Sequence, residues 1–335
     1  MKLIIQIPCF NEEAALPATL ADLPKEIPGI DEIDILIVND GSTDATVNIA
    51  RRFGVHHIIE LGKNQGLAFA FQAGLDACLK LGADLIVNTD ADNQYCGADI
   101  QKLVGPILEG KADLVVGTRD IESIEHFSST KKWLQQIGSW VVRKASGCHI
   151  RDTTSGFRAF NREAALRTII HSKFSYTLET LVHAGAGPLA VEQVPIRVNH
   201  KLRESRLAGS TWEYLKKSTA TLLRIYSMVN PLRVFLFIGG LVFGLGFLLA
   251  ARYLYFYIMA SAAGHVQSLI LSAILMIVGF QTMVIGLVAD LIGANRRLSE
   301  DILYRLRKIE IMGSLQQDFK TGRPQETVQT VRNRR

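Results

Sequence analysis

The chain has 335 residues, 48% of them hydrophobic, with a mean hydropathy of +0.18 and a formal net charge of +5. That length allows one large domain or two small ones, and the positive hydropathy points to membrane segments. The four cysteines, Cys9, Cys78, Cys96 and Cys148, form no Cys-x-x-Cys pair, so neither a zinc ribbon nor a disulfide framework is indicated.

Charge is distributed unevenly. Residues 1–125 carry 9 Lys/Arg against 20 Asp/Glu, residues 126–233 carry 17 against 6, and residues from 293 onward carry 10 against 5. An acidic front gives way to a basic middle and a basic end. Basic segments beside apolar spans suit an anionic membrane surface or a phosphate-bearing substrate. Nucleic acid is disfavoured as a partner, because the cations lie next to membrane signals and in no recognised nucleic-acid module.

The first residues, Met1 to Pro8, are too short and too soon interrupted to be a signal peptide, so the N-terminal part is expected in the cytoplasm. Residues 3–7 read as a strand, followed by a helix to about Leu23. Ile33–Asn39 is a second strand, ending in Asn39-Asp40-Gly41-Ser42-Thr43-Asp44, with a helix to about Phe53. His57–Leu61 reads as a third strand, and Lys63-Asn64-Gln65-Gly66 leads into a helix to about Leu81. A strand from Leu85 running into Asp90-Ala91-Asp92, a helix near Asp99–Leu108 and a strand at Asp113–Gly117 follow. Strands alternating with helices imply βαβ units and a parallel sheet, with the site at the carboxyl ends of the strands.

The fourth strand ends in Asn88-Thr89-Asp90-Ala91-Asp92-Asn93-Gln94. Two carboxylates at i, i+2 can turn toward one hard cation. Mg²⁺ or Mn²⁺ prefers oxygen ligands and leaves positions for water and a diphosphate. Gln94 could add a neutral oxygen. The plainer reading is a solvated acidic turn. Asn11, Ser42 and Asp44 also fall at strand ends, where capping and ligand binding are both open to them. Asp40, just past a buried strand, can accept from a nucleotide's hydroxyls or base. No Gly-x-Gly-x-x-Gly follows the first strand and there is no P-loop, so phosphates would be held by metal and cations.

Beyond residue 118 the character changes. Residues 130–146 place Trp133, Leu134, Ile137, Trp140 and Val141 on one helical stripe between basic flanks, the pattern of a helix lying in a membrane interface. A buried core helix would show the same stripe. Arg151–Arg158 is polar and cation-rich, Phe174–His183 reads as a helix carrying Glu179, and Val191–Val198 reads as a strand. Asn199–Arg206 is again dense in cations, and residues 211–229 form a second amphipathic helix. Two apolar spans follow, at about 233–259 and 266–290, each long enough to cross a bilayer of roughly 30 Å. Arg233 precedes the first and Arg296 and Arg297 follow the second, while the connector Ser261–Ser268 has no Lys or Arg. The positive-inside rule then puts both chain ends in the cytoplasm. The domains expected are a cytoplasmic catalytic domain over 1–229, two transmembrane helices within 230–292, and a basic cytoplasmic tail over 293–335, poorly ordered beyond about Glu310.

Together these residues resemble family 2 glycosyltransferases of the GT-A fold. Within that family they look like dolichol-phosphate mannose synthase and the bacterial polyprenyl-phosphate glycosyltransferases. The resemblance rests on Pro8…Asn11-Glu12, Asp40-Gly41-Ser42-Thr43-Asp44, Asp90-Ala91-Asp92-Asn93-Gln94, Gly117-Thr118-Arg119, Ser155-Gly156-Phe157-Arg158 and Arg203…Ser205-Arg206, in that order. It covers about residues 3–230, and the two C-terminal spans fit the bacterial type. The Gln-x-x-Arg-Trp mark of processive synthases is missing. The sequence departs in having Phe10 where Tyr is frequent, Asn39-Asp40 for Asp-Asp, and Asn93-Gln94-Tyr95-Cys96 for a Gln-His-Pro stretch.

The resemblance implies an α/β GT-A fold with a mainly parallel sheet, amphipathic interface helices and a C-terminal transmembrane hairpin. It implies that Pro8, Phe10, Glu12, Val38 and Asp40, with Asp90 and Ala91, hold the nucleotide. Asp90, Asp92 and Gln94 would hold Mg²⁺ or Mn²⁺ on the donor diphosphate. Arg119, Arg203 and Arg206, with Asp92, would form the catalytic set. The implied reaction is inverting transfer of a hexose from a UDP- or GDP-linked donor to undecaprenyl or dolichyl phosphate at the cytoplasmic face of the membrane. Transfer to a glycolipid hydroxyl and a non-catalytic membrane scaffold stay open as alternatives, as does self-association.

Overall fold

The structure, a computed structural model, describes residues 1–119, 150–170, 176–199, 230–259, 266–321 and 328–331. The amphipathic segments expected at 130–146 and 211–229, and Arg203 and Arg206, lie outside these. The chain forms two compact units, Met1–Thr219 with Ile302–Arg335, and Ala220–Asp301.

The first unit is built on one sheet. Its strands in chain order are β1 (Lys2–Cys9), β2 (Glu32–Asn39), β3 (His57–Leu61), β4 (Leu85–Asn88), β5 (Leu114–Thr118), β6 (Arg158–Asn161), β7 (Val191–Pro195) and β8 (Val328–Val331). Among the described residues their spatial order is β7-β5-β6-β4-β1-β2-β3-β8. β1 runs parallel to both β2 and β4, β2 to β3, β3 to β8 and β5 to β7, whereas β6 is antiparallel to β4 and β5. The helices are α1 (Leu16–Asp22), α2 (Thr46–Arg52), α3 (Leu67–Lys80), α4 (Ile100–Leu108), α5 (Arg162–Arg167) and α6 (Tyr176–Ala186). Parallel neighbours need crossover connections, and α1, α2, α3 and α4 sit in those crossovers. The central strands are apolar on both faces because helices cover both faces. Leu3, Ile5, Ile7, Ile37, Val87 and Val115 are accordingly fully buried.

The alternation of strands and helices through β5 follows the sequence expectation. β6 does not, since Arg158 leads a segment that reads as a polar loop. In the structure Arg158 is fully buried and donates from Nε to Ser155 O at 2.9 Å and from Nη2 to Thr153 O at 3.1 Å. The local turn thus takes two of the three guanidinium nitrogens, while Nη1 is buried with no hydrogen-bond partner among the described residues.

The second unit contains α7 (Pro231–Met259) and the first part of α8 (Val266–Thr321). A Cβ on Gly239 would lie 2.7 Å from Gly279 O, and one on Gly279 would lie 2.5 Å from Phe243 N. Glycine at these crossings lets two backbones approach within side-chain distance. Ser272 Oγ donates to Gly246 O at 2.8 Å across the same contact. The large apolar side chains, among them Phe237, Leu248, Ile270 and Phe280, point outward and are exposed. Two apolar helices that bury glycine and expose leucine, isoleucine and phenylalanine form a transmembrane hairpin.

The tail differs from its sequence expectation. Composition suggests disorder beyond about Glu310, yet α8 continues to Thr321 and Val328–Val331 adds β8 to the sheet edge. Contacts just before Glu310 anchor this part of α8 to the first unit. Tyr304 Oη donates to Glu163 at 2.8 Å, and the Arg167 guanidinium lies 4.2 Å over the Tyr304 ring. Arg307 donates from Nη1 to the carbonyls of Leu166 at 2.6 Å and Thr168 at 2.9 Å, and it pairs with Asp76.

Candidate active site

The carboxyl ends of β2, β1 and β4 lie side by side, with Pro8 opposite Val38 and Gln6 opposite Asn88. Their loops, residues 10–13, 40–45 and 89–94, therefore open on one edge of the sheet. Pro8 and Val38 are buried, and the Val38 side chain faces Gly74 of α3. Phe10, on the same edge, is 38% exposed.

The first two loops are laced to each other. Asn11 N donates to Ser42 Oγ at 3.0 Å, and Asn11 Oδ1 accepts from Thr43 N at 2.8 Å. Glu12 N donates to Thr46 Oγ1 at 2.9 Å, Glu13 N to Asp44 Oδ2 at 3.1 Å, and Glu13 Oε2 accepts from Ala45 N at 2.9 Å. Asn11 takes a left-handed φ of 53°, a conformation asparagine tolerates better than most residues. Of the two roles open to Asn11, Ser42 and Asp44, these bonds supply the structural one. Burial alone would raise the Asp44 pKa, but the bonds it accepts from Thr46 outweigh that and hold it below the usual carboxylate range.

Asp40 is 3% exposed, and its two oxygens accept from Gln65 N at 2.7 Å and Gly66 N at 2.8 Å. It thereby fixes the start of α3. Burial pushes its pKa up, against the pull of those two amides. The next residue must be glycine. Gly41 has φ +74°, and a Cβ there would lie 2.8 Å from Asn64 N and Lys63 C.

Asp90 and Asp92 follow β4. Ala91 between them is buried, and its carbonyl accepts from Thr19 Oγ1 at 2.9 Å. Asp92 Oδ1 accepts from Gln94 N at 3.1 Å, and Asn93 takes φ 55° to make the turn. Burial, then the charge of Asp92, push the Asp90 pKa to about 7, with Arg119 acting in the opposite direction. Among the described residues no cluster supplies three His, Cys, Asp or Glu ligands. Two adjacent carboxylates in mutual repulsion, beside an open edge, nonetheless suit a hard dication completed by phosphate and water oxygens. Such an ion would relieve the strain between Asp90 and Asp92.

Arg119 closes this side. Its Nε donates to Asp152 Oδ2 at 2.7 Å, and its Nη2 to Asp152 Oδ1 at 3.2 Å and Thr154 Oγ1 at 3.0 Å. Asp152 is fully buried. Glu179, 13% exposed on α6, lies 3.8 Å from His183 Nε2.

Sequence reasoning missed the polar side chains beneath the carboxylates. Gln6 and Asn88 interrupt apolar strands and are fully buried. An unpaired buried amide costs about 1–3 kcal/mol, so these must be paired. Gln6 Nε2 donates to Asn88 Oδ1 at 2.9 Å, and Asn88 Nδ2 donates to Gly156 O at 2.8 Å. The signal in the sequence was the pair of amides at central strand positions that should be apolar.

The description Glycosyl transferase family 2 matches residues 4–169, and GtrB C-terminal hairpin matches residues 230–294. An uncharacterized protein of Methanocaldococcus jannaschii is 31% identical over 206 residues, 58% of this chain and 81% of its own length. The undecaprenyl-phosphate mannosyltransferase of Micrococcus luteus is 29% identical over 221 residues, 62% of this chain and 88% of its own. Among solved structures, the glucosyl-3-phosphoglycerate synthase of Mycobacterium tuberculosis, crystallised with Mn²⁺, UDP-glucose and phosphoglyceric acid, superposes with a TM-score of 0.51 at 20% identity. That alignment covers 68% of this chain and 80% of the synthase, and it supports the fold.

Proposed function

This chain belongs to glycosyl transferase family 2, and from that membership we propose that it transfers a hexose from a UDP- or GDP-linked donor to a membrane polyprenyl phosphate, with inversion at the anomeric carbon. The observation that carries the proposal is the Asp90–Asp92 pair at the end of β4, set beside two laced loops. The M. luteus relative, named for undecaprenyl phosphate, and the C-terminal hairpin support a lipid acceptor.

In this reading Phe10 stacks on the nucleoside base, with Pro8, Glu12, Val38 and Ala91 lining the site. Asp40 acts by holding the Gln65–Gly66 turn over it. Asp90, Asp92 and Gln94 hold Mg²⁺ or Mn²⁺, which would neutralise charge on the departing diphosphate. Arg119 faces the phosphates from the other side, and Arg203 and Arg206 hold the lipid phosphate.

The acceptor is a phosphate monoester with a second pKa near 6, so it is already anionic at pH 7 and needs no general base. One of its oxygens forms the new bond to the anomeric carbon as the bond to the nucleoside diphosphate breaks. The leaving group departs with the electron pair on its phosphate oxygen. The protein's work is positioning and electrostatic stabilisation. The catalytic unit then works at the cytoplasmic face, the side to which the positive-inside rule assigns both chain ends.

Purified protein with Mn²⁺, a panel of UDP- and GDP-sugars, and undecaprenyl or dolichyl phosphate should yield a sugar-labelled lipid phosphate from at least one donor. No transfer from any of them would overturn the proposal. Loss of all turnover in Glu179→Gln would favour a hydroxyl acceptor, which needs a base.

A further inference from the structure

Asp90 does not stand alone at the end of β4. Its two carboxylate oxygens lie against the backbone of Gly156. Gly156 is held in turn by Tyr95, whose Oη accepts from Gly156 N at 3.1 Å. The Tyr95 ring is itself fixed. It is buried and stacks on Phe157 with centroids 5.0 Å apart and planes at 6°.

Gly156 completes the cradle. A Cβ there would lie 3.0 and 3.2 Å from the two Asp90 oxygens and 2.5 Å from Tyr176 Oη. The space that any other residue needs is taken by the Asp90 carboxylate and by Tyr176. The Gly156 carbonyl is tied through Asn88 Nδ2 to Gln6 Nε2 on β1, and Tyr176 stacks on Phe71 of α3 at 4.3 Å. The support for Asp90 thus runs unbroken into the central strand of the sheet.

We propose that Tyr95 is a positioning residue, which holds Gly156 and through it the Asp90 carboxylate in the orientation needed for a divalent cation, and that Gly156 is required because any side chain there would displace that carboxylate. This rests on the metal-dependent reading above. Groups that orient a metal ligand from behind typically change metal affinity by about 10- to 100-fold when removed.

The test is Mn²⁺ binding, read by the electron paramagnetic resonance signal of free Mn²⁺, with UDP and GDP in parallel. Tyr95→Phe keeps the stacked ring and removes only the hydroxyl. It should weaken Mn²⁺ binding by about 10-fold and leave metal-free nucleotide affinity unchanged. Gly156→Ala should weaken it in the same direction. Adding Tyr176→Phe to Gly156→Ala removes the oxygen nearest the new methyl and should recover part of the loss, which general misfolding would not do. Mn²⁺ affinity within about two-fold of wild type in both Tyr95→Phe and Gly156→Ala would overturn the proposal. If Tyr95→Phe fails to fold, the Gly156 pair decides. A wild-type protein that retains no Mn²⁺ with either nucleotide would overturn the metal reading itself.

Discussion

Asp152 offers a way to separate two tasks assigned to Arg119. The pair is buried, with Asp152 fully enclosed and Arg119 11% exposed, and it is joined by bonds of 2.7 and 3.2 Å. Asp152→Asn keeps the shape but removes the counter-charge. Breaking a buried pair at one partner costs about 3–5 kcal/mol. In a unit of this size each kcal/mol lowers Tm by about 2–4 °C, so the expected drop is roughly 6–20 °C. Burial alone would raise the Asp152 pKa, but Arg119 outweighs burial and holds it below the usual carboxylate range. A carboxyl depressed in the folded state contributes its stability in full above the unfolded pKa of about 3.9, and loses it as pH falls through the folded value. The deficit of Asp152→Asn should therefore be complete at pH 7 and shrink below about pH 4. Arg119→Met combined with Asp152→Leu removes both charges, and such apolar replacements are often neutral or stabilising by about 1–4 kcal/mol. Stability should return in this double variant and activity should not, because Arg119 also faces Asp90. Thermal melts at pH 7 and pH 4, with sugar transfer assayed on the same samples, give both readings. A double variant that is stable and fully active would refute the functional role of Arg119.

Other outcomes follow from the same reasoning. Asp92→Asn should lower kcat/KM by at least about 100-fold, the scale of one strong transition-state contact, and normal turnover in saturating Mg²⁺ and Mn²⁺ would remove it from the metal site. Arg206→Ala should raise KM for the lipid phosphate more than for the sugar nucleotide, since it removes a contact to one substrate, and a defect confined to the donor would reassign it to the diphosphate. A cysteine at Ser268 should react with an impermeant thiol reagent outside intact cells and one at Ser299 should not; the reverse pattern would invert the hairpin. Arg307→Ala strips a charged donor from the buried carbonyls of Leu166 and Thr168 and should lower the stability of the first unit by about 2–4 kcal/mol in denaturant melts.

The sequence made the β1–β5 alternation legible because apolar runs of strand length alternate with helical stretches, with turn residues between them. Asp90 and Asp92 were legible for the same reason, as charges ending an apolar run. β6 was hidden because Arg158 is buried there with only two of its nitrogens bonded, both to backbone carbonyls of the turn before it, which no pattern displays. The work of Asp40 was hidden because its partners are the backbone amides of Gln65 and Gly66, and any residue could supply those. Tyr95 read as part of a polar loop, since its link to Gly156 exists only once β6 lies between β4 and β5. What periodicity records is which face of an element is buried. It does not record which backbone atoms meet across the fold.

The strand that flanks β3 at the sheet edge is made long after it. Ile58 and Ile59, both buried, belong to an edge that pairs with Val328 and Gln329 from the far end of the chain. At about 5–20 residues per second, β3 waits on the order of tens of seconds after synthesis before its partner exists. Both apolar helices are translated in that interval. Throughout it β3 presents unpaired amides and carbonyls on an apolar strand, the kind of edge that recruits other chains. The order of translation therefore gives β8 a protective task. A chain clipped before Val328 would keep every catalytic loop intact and betray the loss first as self-association.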